Sequence, residues 1–507
     1  MPSPAPSDDR KWWTLAAVCV ATFMLLIDIT IVNVALPDIR KALNSSFSDL
    51  QWVIDAYALT LAAFLLTWGT TSDRLGRRVI FIVGLAIFVA ASLGCALSTS
   101  PLFLNLARGV QGIGGAAMFA TSLALLASAF HGRERGTAIG IWGATIGAAV
   151  AIGPLIGGVL TESVGWESIF YINIPIGLGA IYIALTRVAE SRDPDAGPPD
   201  WAGLVTFSGG LFLLIFALVR GNPEGWGSPL IVSFLIGAAV LLVAFVIIEA
   251  RIRHPMFDLE LFRVPTFGGA SIAAFVLSAG MFSMFLYLTL YIQNGLGYSP
   301  LQAGLRFLPL SLLSFVVAPI AGRLSARVPI RALIGGGLVL CGIALLLMRG
   351  LDAASSWTAL LAGFCVAGVG IGLVNAPLAS TAVSVVPPAR AGMGSGINST
   401  FRQIGIATGT AGLGALFQEL LGSRATGGLA NVPAEVLAQG RPDVAGPGGR
   451  EAYLSLFTGA LNDVFLVGAI VAFAGAVLSF ALIRGQDFIA SQPEPAGEPQ
   501  MAGASEA

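Results

Sequence analysis

The chain is short of charge. Asp, Glu, Lys and Arg make up 11% of its 507 residues, where a soluble domain carries about 25%. Lysine is nearly missing: Lys11 and Lys41 stand against 25 arginines, an imbalance that reads as GC-rich bacterial coding bias rather than chemistry. The two histidines, His131 and His254, lie in separate charged loops, so no histidine-built zinc site and no other metal site is expected. Cys19, Cys95, Cys341 and Cys365 all fall inside apolar runs without a C-x-x-C pair, and read as small hydrophobes. Neither lysine sits in G-x-x-x-x-G-K-[ST], which argues against an ATP-driven pump. The chain has no G-x-S-x-G, no H-E-x-x-H and no cysteine–histidine cluster, so an enzyme and a bound cofactor are not expected. A net charge of −1 offers nothing to nucleic acid.

What the chain has in excess is apolar surface. Hydrophobic residues make up 56% of it and the mean hydropathy is +0.84. Water cannot be the solvent for such a chain, so most of it belongs in lipid. Runs of about 20 apolar residues, the length that crosses a bilayer as helix, occur near 13–35, 50–71, 79–98, 103–128, 136–160, 168–187, 202–220, 229–249, 266–292, 302–322, 331–349, 357–382, 394–418 and 463–483. All are expected to be helices, because backbone facing lipid must bond within its own segment. The first run is too long for a signal-peptide core and reads as an uncleaved span. An even number of spans puts both termini on one side. Placing them inside gives the inner segments seventeen Arg and Lys against seven outside, so the positive-inside rule puts both ends in the cytoplasm of a bacterial plasma membrane protein.

Two echoes divide the chain. GTTSDRLGRR (69–78) returns faintly as GRLSARVPIR (322–331), and RGTAIG (135–140) as RAGMGSG (390–396), at nearly the same offset. Repeated halves are common in secondary transporters. The offset exceeds one six-span half by the length of the two runs at 202–249. The expected organisation is therefore a cytoplasmic segment 1–12, a six-helix bundle 13–187, a linker with two extra spans 188–265, and a second six-helix bundle 266–483. An outer Gly/Pro-rich loop is expected at 420–462 and a disordered cytoplasmic tail at 484–507. The extra pair is expected at the periphery.

Several of these stretches carry a family likeness. GTTSDRLGRR, with Gly69, Asp73, Arg74, Gly76, Arg77 and Arg78, resembles the loop signature of the major facilitator superfamily. LIDITIVNVALP (26–37) is similar to a span-1 signature of its fourteen-span drug:proton antiporter branch, and LARGVQGIGG (106–115) resembles the span-4 arginine motif, with Arg108 as its arginine. GATIGAAVAIGPLIGG (143–158) resembles the span-5 antiporter motif, through Gly143, Gly147, Gly153, Pro154, Gly157 and Gly158. WESIFYINIP (166–175) fits the same branch, with Glu167 where arginine is usual. The resemblance implies two bundles around a central cavity, alternating access and a gating role for the 69–78 loop. It also implies export of hydrophobic or cationic drugs by a monomer in the lipid bilayer, with protons as the coupled partner and the proton gradient as energy source. A same-fold carrier for one metabolite or self-made antibiotic remains the alternative.

The residues supply roles beside that likeness. Arg74, Arg77 and Arg78 hold the loop inside, but Asp73 does nothing for topology. It reads as a latch to a neighbouring helix N-terminus or to an arginine. Small-xxx-small pairs and a proline in span 5 suit close helix contact. Ionisable residues within spans are expensive and usually functional. Asp28, Asp55 and Arg108 fall at similar depth in spans 1, 2 and 4, and form the expected proton-coupling group. Tyr57, Met281, Phe285, Tyr291 and Arg402 are expected to line a substrate cavity, the aromatic and thioether side chains of span 9 offering adaptable surface. Arg402 has no acid in its own span. Pairing across the cavity, an anionic substrate group and helix carbonyls all stay open as its partner.

Overall fold

A backbone in lipid has no water to bond, and the chain answers with one long helix after another. The computed structural model describes residues 8–488 apart from 46, 193–199, 253, 254, 256, 388, 389 and 447. A few helical side chains, Pro154 among them, also lie outside the described set. So do the tail from 489 onward, His254 and the middle of the 188–200 linker.

The first half comprises α1 (Asp8–Leu43), α2 (Phe47–Leu75), α3 (Arg77–Ala96), α4 (Pro101–Ala129), α5 (Gly132–Ser163) and α6 (Asn173–Arg187, after a single turn at Ser168–Tyr171). The extra pair is α7 (Trp201–Glu224) and α8 (Pro229–Glu249). The second half holds α9 (Pro265–Gly295), α10 (Pro300–Leu324), α11 (Ile330–Leu347), α12 (Leu361–Ser384), α13 (Ala391–Arg424) and α14 (Arg450–Leu482). Thirteen helices among the described residues are long and apolar enough to cross a membrane. The remaining long helix, α5, runs for 32 residues over the span expected at 136–160. The described residues contain no strand.

The helix starts follow local chemistry. Ser100, Ser228 and Ser299 cap α4, α8 and α10, each followed by proline. Proline has no N–H to leave orphaned at that position. Ser299 and Gln302 form a full capping box. The outer loop is shorter than 420–462, because α13 runs on to Arg424 and α14 already starts at Arg450. Its 25 intervening residues 425–449 include short turns, and Tyr453 anchors them by donating to the Leu437 carbonyl at 2.6 Å. Polar residues at the helix ends hid this extension from a hydropathy reading.

The two loop motifs make the same local bond. Ser72 Oγ donates to the Gly69 carbonyl at 2.6 Å, and its counterpart Ser325 Oγ donates to the Gly322 carbonyl at 2.7 Å. The halves meet through two glycine crossings, both at the end that carries the 69–78 loop. In one, α2 crosses α13: a Cβ on Gly69 would stand 2.6 Å from the Gly392 carbonyl oxygen. In the other, α5 crosses α10: a Cβ on Gly136 would collide with Gly322, and one on Gly140 would lie 2.6 Å from Pro319 Cα. Farther along, α5 leaves α10 for α1, where a Cβ on Gly153 would collide with Thr30.

The extra pair sits outside both bundles yet touches each. α7 packs on α2 and on α13. Thr67 and Ser208 hydroxyls bond at 2.8 Å, and Asn222 Nδ2 donates to the Ala411 carbonyl at 3.1 Å. One apolar cluster joins Leu66 of α2, Phe207 and Ile215 of α7, Phe245 of α8 and Ile397 of α13.

Candidate functional site

Three sets of residues are candidates for function. The first is a buried polar knot inside the first bundle. Asp28 of α1 and Arg108 of α4 are each 1% exposed and form an ion pair, with Arg108 Nη1 on Asp28 Oδ2. Buried charges persist when paired and supported by further hydrogen bonds, and both hold here. Asp28 Oδ1 accepts from Gln111 Nε2 at 2.9 Å and from Asn173 Nδ2 at 2.8 Å. Arg108 also donates to the Gln111 side chain at 2.7 Å and, through Nε, to the Val53 carbonyl at 2.9 Å. Ser92 accepts from Gln111 at 2.8 Å. Tyr57 lies flat under the guanidinium, 4.3 Å from its carbon, and Phe170 lies 5.9 Å away on another side. Such ring faces favour a desolvated cation.

This geometry divides the trio expected at one proton site. Asp28 and Arg108 come together, but Asp55 faces elsewhere. It is half-buried, and the charge that acts on it is that of Arg220 on α7. Equal depth says nothing about direction around a helix. Residues two apart on a helix do not share a face, and since Tyr57 turns to Arg108, Asp55 must turn away. Arg220 in turn bonds Glu224 at 2.7 Å and lies 5.6 Å over Trp52.

The second set is the loop 69–78. Asp73 is 6% exposed and does both things its position called for. Its Oδ1 and Oδ2 accept from the backbone N–H groups of Gly392 at 3.0 Å and Met393 at 2.9 Å. These are the first residues of α13, where orphan N–H groups and the helix dipole favour a carboxylate. The same carboxylate takes Arg77 Nε at 2.9 Å and Nη2 at 2.8 Å. Glu190, from the linker after α6, does the reciprocal job at the start of α3: it accepts from Arg78 N at 3.0 Å and Val79 N at 3.2 Å. Gly76 is required between them, with φ +118 and a virtual Cβ 2.7 Å from the Glu190 carboxyl carbon. Arg78 reaches the Val188 carbonyl at 3.1 Å. Arg74 lies within electrostatic reach of Glu249.

The third set is a small cleft where α5 meets the second half. Ile146 and Gly147 of α5 line one side, and Phe282, Phe285, Leu310, Ser311, Ser314, Ile371 and Asn375 of the second half complete the lining. Phe285 packs at a tilt against Phe282 and Phe307, with centroids 5.8 and 5.7 Å apart. Arg402 donates to Asn375 Oδ1 at 3.0 Å, which links it to the cleft through a side-chain carbonyl. Met281 and Tyr291 do not line it. Both are 1% exposed and belong to the core of the second bundle. Tyr291 stacks on Phe457 at 6.4 Å and donates to the Ser355 carbonyl at 3.2 Å. Two π-helical turns, Ser278–Phe282 and Tyr291–Gly295, shift the register of α9, so faces drawn at 3.6 residues per turn go astray. Tyr57 serves the polar knot instead of the cleft.

In the antiporter motif, Gly147 lines the cleft and Gly153 meets α1, while Gly143 has only Ala318 at 3.9 Å and Gly158 has nothing within 4 Å. Gly157 is buried. The crowded glycines of α5, Gly136 and Gly140, lie just before the motif. Sequence reading also missed Gln111, Asn173, Ser92 and Glu190. Gln111 was findable, three residues after Arg108 and so on its face.

Comparison with known proteins agrees with this architecture. A sequence profile described as Major Facilitator Superfamily matches residues 18–410. The multidrug resistance protein Stp of Mycobacterium tuberculosis is 37% identical over 404 residues, 80% of this chain and 75% of that protein. A tetracenomycin C resistance and export protein of Streptomyces glaucescens is 34% identical over 414 residues, 82% and 77% of the two chains. The puromycin resistance protein pur8 of Streptomyces alboniger is 36% identical over 409 residues, 80% and 81%. Among solved structures, the human organic anion transporter MFSD10 matches with a TM-score of 0.60 at 16% identity, covering 91% of this chain and 99% of that one. That likeness is one of fold.

Proposed function

This chain belongs to the major facilitator superfamily, and on that premise we propose that it is a drug exporter that works by alternating access and exchanges its substrate for protons. The observations that carry the export reading are the family match and the relatives named for resistance or export. The small cleft between the halves, of about 30 Å³, marks where the substrate path is pinched in this conformation. The cleft is apolar, with aromatic rings from α9 and the Asn375–Arg402 pair as its polar anchor. Of the three relatives described above, two are named for drug resistance and one for resistance and export. The chain is a carrier and not an enzyme in this reading. It lies in the bacterial plasma membrane as a monomer with both termini in the cytoplasm, which makes the 69–78 end the cytoplasmic one. Both glycine crossings are closed there, so this conformation is the one shut toward the cytoplasm. Asp28 is the proton carrier: protonation cancels its charge, loosens Arg108 and alters the packing of α1, α4 and α6. The proton gradient supplies the energy.

The cleft reading is tested by dye efflux. Phe285→Ala should raise the apparent KM for a bulky lipophilic cation about tenfold, the scale of losing apolar contact in a pocket, with expression unchanged. An unaltered KM would remove Phe285 from the substrate path. A carrier dedicated to one antibiotic is the second reading, favoured by relatives named for single compounds. Counter-transport over chemically diverse compounds separates the two: several unrelated competitors indicate a broad exporter, and one chemical class a dedicated carrier.

A further inference from the structure

Two carboxyl groups are buried together at the loop end of the extra pair. Asp200 precedes α7 and caps it, Oδ1 accepting from Gly203 N at 2.8 Å. Glu249 closes α8, and its Oε2 accepts from Phe257 N at 3.3 Å. They are 5% and 4% exposed. Their other oxygens, Asp200 Oδ2 and Glu249 Oε1, have no N–H or O–H donor among the described residues. Both crowd the same spot: a Cβ on Gly203 would lie 2.7 Å from Glu249 Oε1 and closer still to Asp200 Oδ2. Ionised carboxylates only accept, so this close approach needs a proton between them, and like charges in such proximity cannot both ionise freely.

The surroundings tie this pair to the gate. Arg74, at the end of α2 and one residue after Asp73, is the cation that acts on Glu249. Phe257, held by Glu249, is followed by Asp258, whose carboxylate pairs with Arg390 Nη1. Arg390 immediately precedes the α13 N-terminus that Asp73 grips. A chain of contacts thus runs from the carboxyl pair through residues 257–258 to the start of α13, and through Arg74 to the end of α2.

We propose that Asp200 and Glu249 hold one shared proton and form a second proton site, separate from Asp28, that braces the closed gate through residues 257–258 and Arg390. Loss of the proton leaves two buried carboxylates facing each other. Their repulsion spreads the ends of α7 and α8, displaces Phe257 and Asp258, and weakens the hold on α13. The gate is therefore braced at lower pH and released as pH rises. The inference rests on the alternating-access reading of the gate.

Spin labels at the exposed positions Leu75 and Arg331, one in each half, test this. The parent background has the native cysteines replaced by alanine and carries Asp28→Asn and Arg108→Gln, so that the first proton site does not titrate. In the parent protein, the population with a long inter-label distance should rise between pH 6 and pH 9. Glu249→Gln and Asp200→Asn keep the shape and a hydrogen bond without a titratable proton, and Asn still caps α7. Both should hold the distances constant across that range, with substrate binding retained as the check on folding. A pH-independent parent, or either variant following the parent's pH curve, overturns the shared proton. Asp73→Asn separates the premise. If it leaves the distances unchanged at every pH, the gate reading itself fails. If it shifts them while the carboxyl variants track the parent, only the shared proton fails.

Discussion

Arg108→Ala should unfold far more easily than the parent protein, by about 3–5 kcal/mol, the cost of leaving one member of a buried ion pair without its partner. Asp28 would keep Gln111 and Asn173 as donors, but no positive charge. The double variant Asp28→Asn with Arg108→Gln should recover most of that loss, because two neutral amides fit the same shell of Ser92, Gln111 and Asn173 without a buried charge. Thermal unfolding in detergent reads both. Transport separates structure from coupling: the stable double variant should still bind substrate and should fail to move protons. If the double variant coupled substrate to protons normally, the Asp28–Arg108 pair would be a structural tie and nothing more.

Gly69→Val should lock the molecule out of the closed state. Its side chain would meet the Gly392 carbonyl and Gly396 Cα, backbone atoms that cannot step aside. Overpacking of this kind costs about 1–3 kcal/mol, and here the cost falls only on the conformation in which α2 touches α13. A penalty confined to one state shifts the equilibrium by about 5–150-fold. The Leu75–Arg331 distance should move to its long population and net transport should fall by a similar factor. Gly322→Val should act likewise at the α5–α10 crossing. Gly158→Val is the control, since nothing lies within 4 Å of that glycine, and it should transport normally. A Gly69→Val protein that still showed the short distance would mean that the crossing does not set the closed state.

The spans were legible because lipid makes an unbroken apolar run the only economical way across, and the halves because two loop motifs survived duplication. The partners of Asp73 were legible for a related reason: an acid in a basic loop has no topological use, so a helix N-terminus or an arginine was expected beside it, and both are there. Other parts were hidden in physical terms. Gln111, Ser92 and Asn173 are uncharged and cost too little in a membrane helix to stand out, yet they complete the shell around Asp28. Gly136 and Gly140 were masked by a chain with 63 glycines, where close crossings cannot be told from ordinary small-residue packing. The faces of α9 were misread because π-turns alter its period, which placed Met281 and Tyr291 in the core. Asp55 was grouped with Asp28 by depth, although the cation that acts on it, Arg220, lies on the extra pair, whose position against α2 no local pattern reveals.

The central claim is that substrate export is exchanged for protons through Asp28. Its most direct test is the purified protein in liposomes with a pH-sensitive dye inside and an imposed proton gradient, to which a lipophilic cation such as ethidium is added. The parent protein should show a substrate-triggered proton flux, and Asp28→Asn should show none while binding the cation as before. An undiminished flux in Asp28→Asn would contradict the account, and move the coupling to another group.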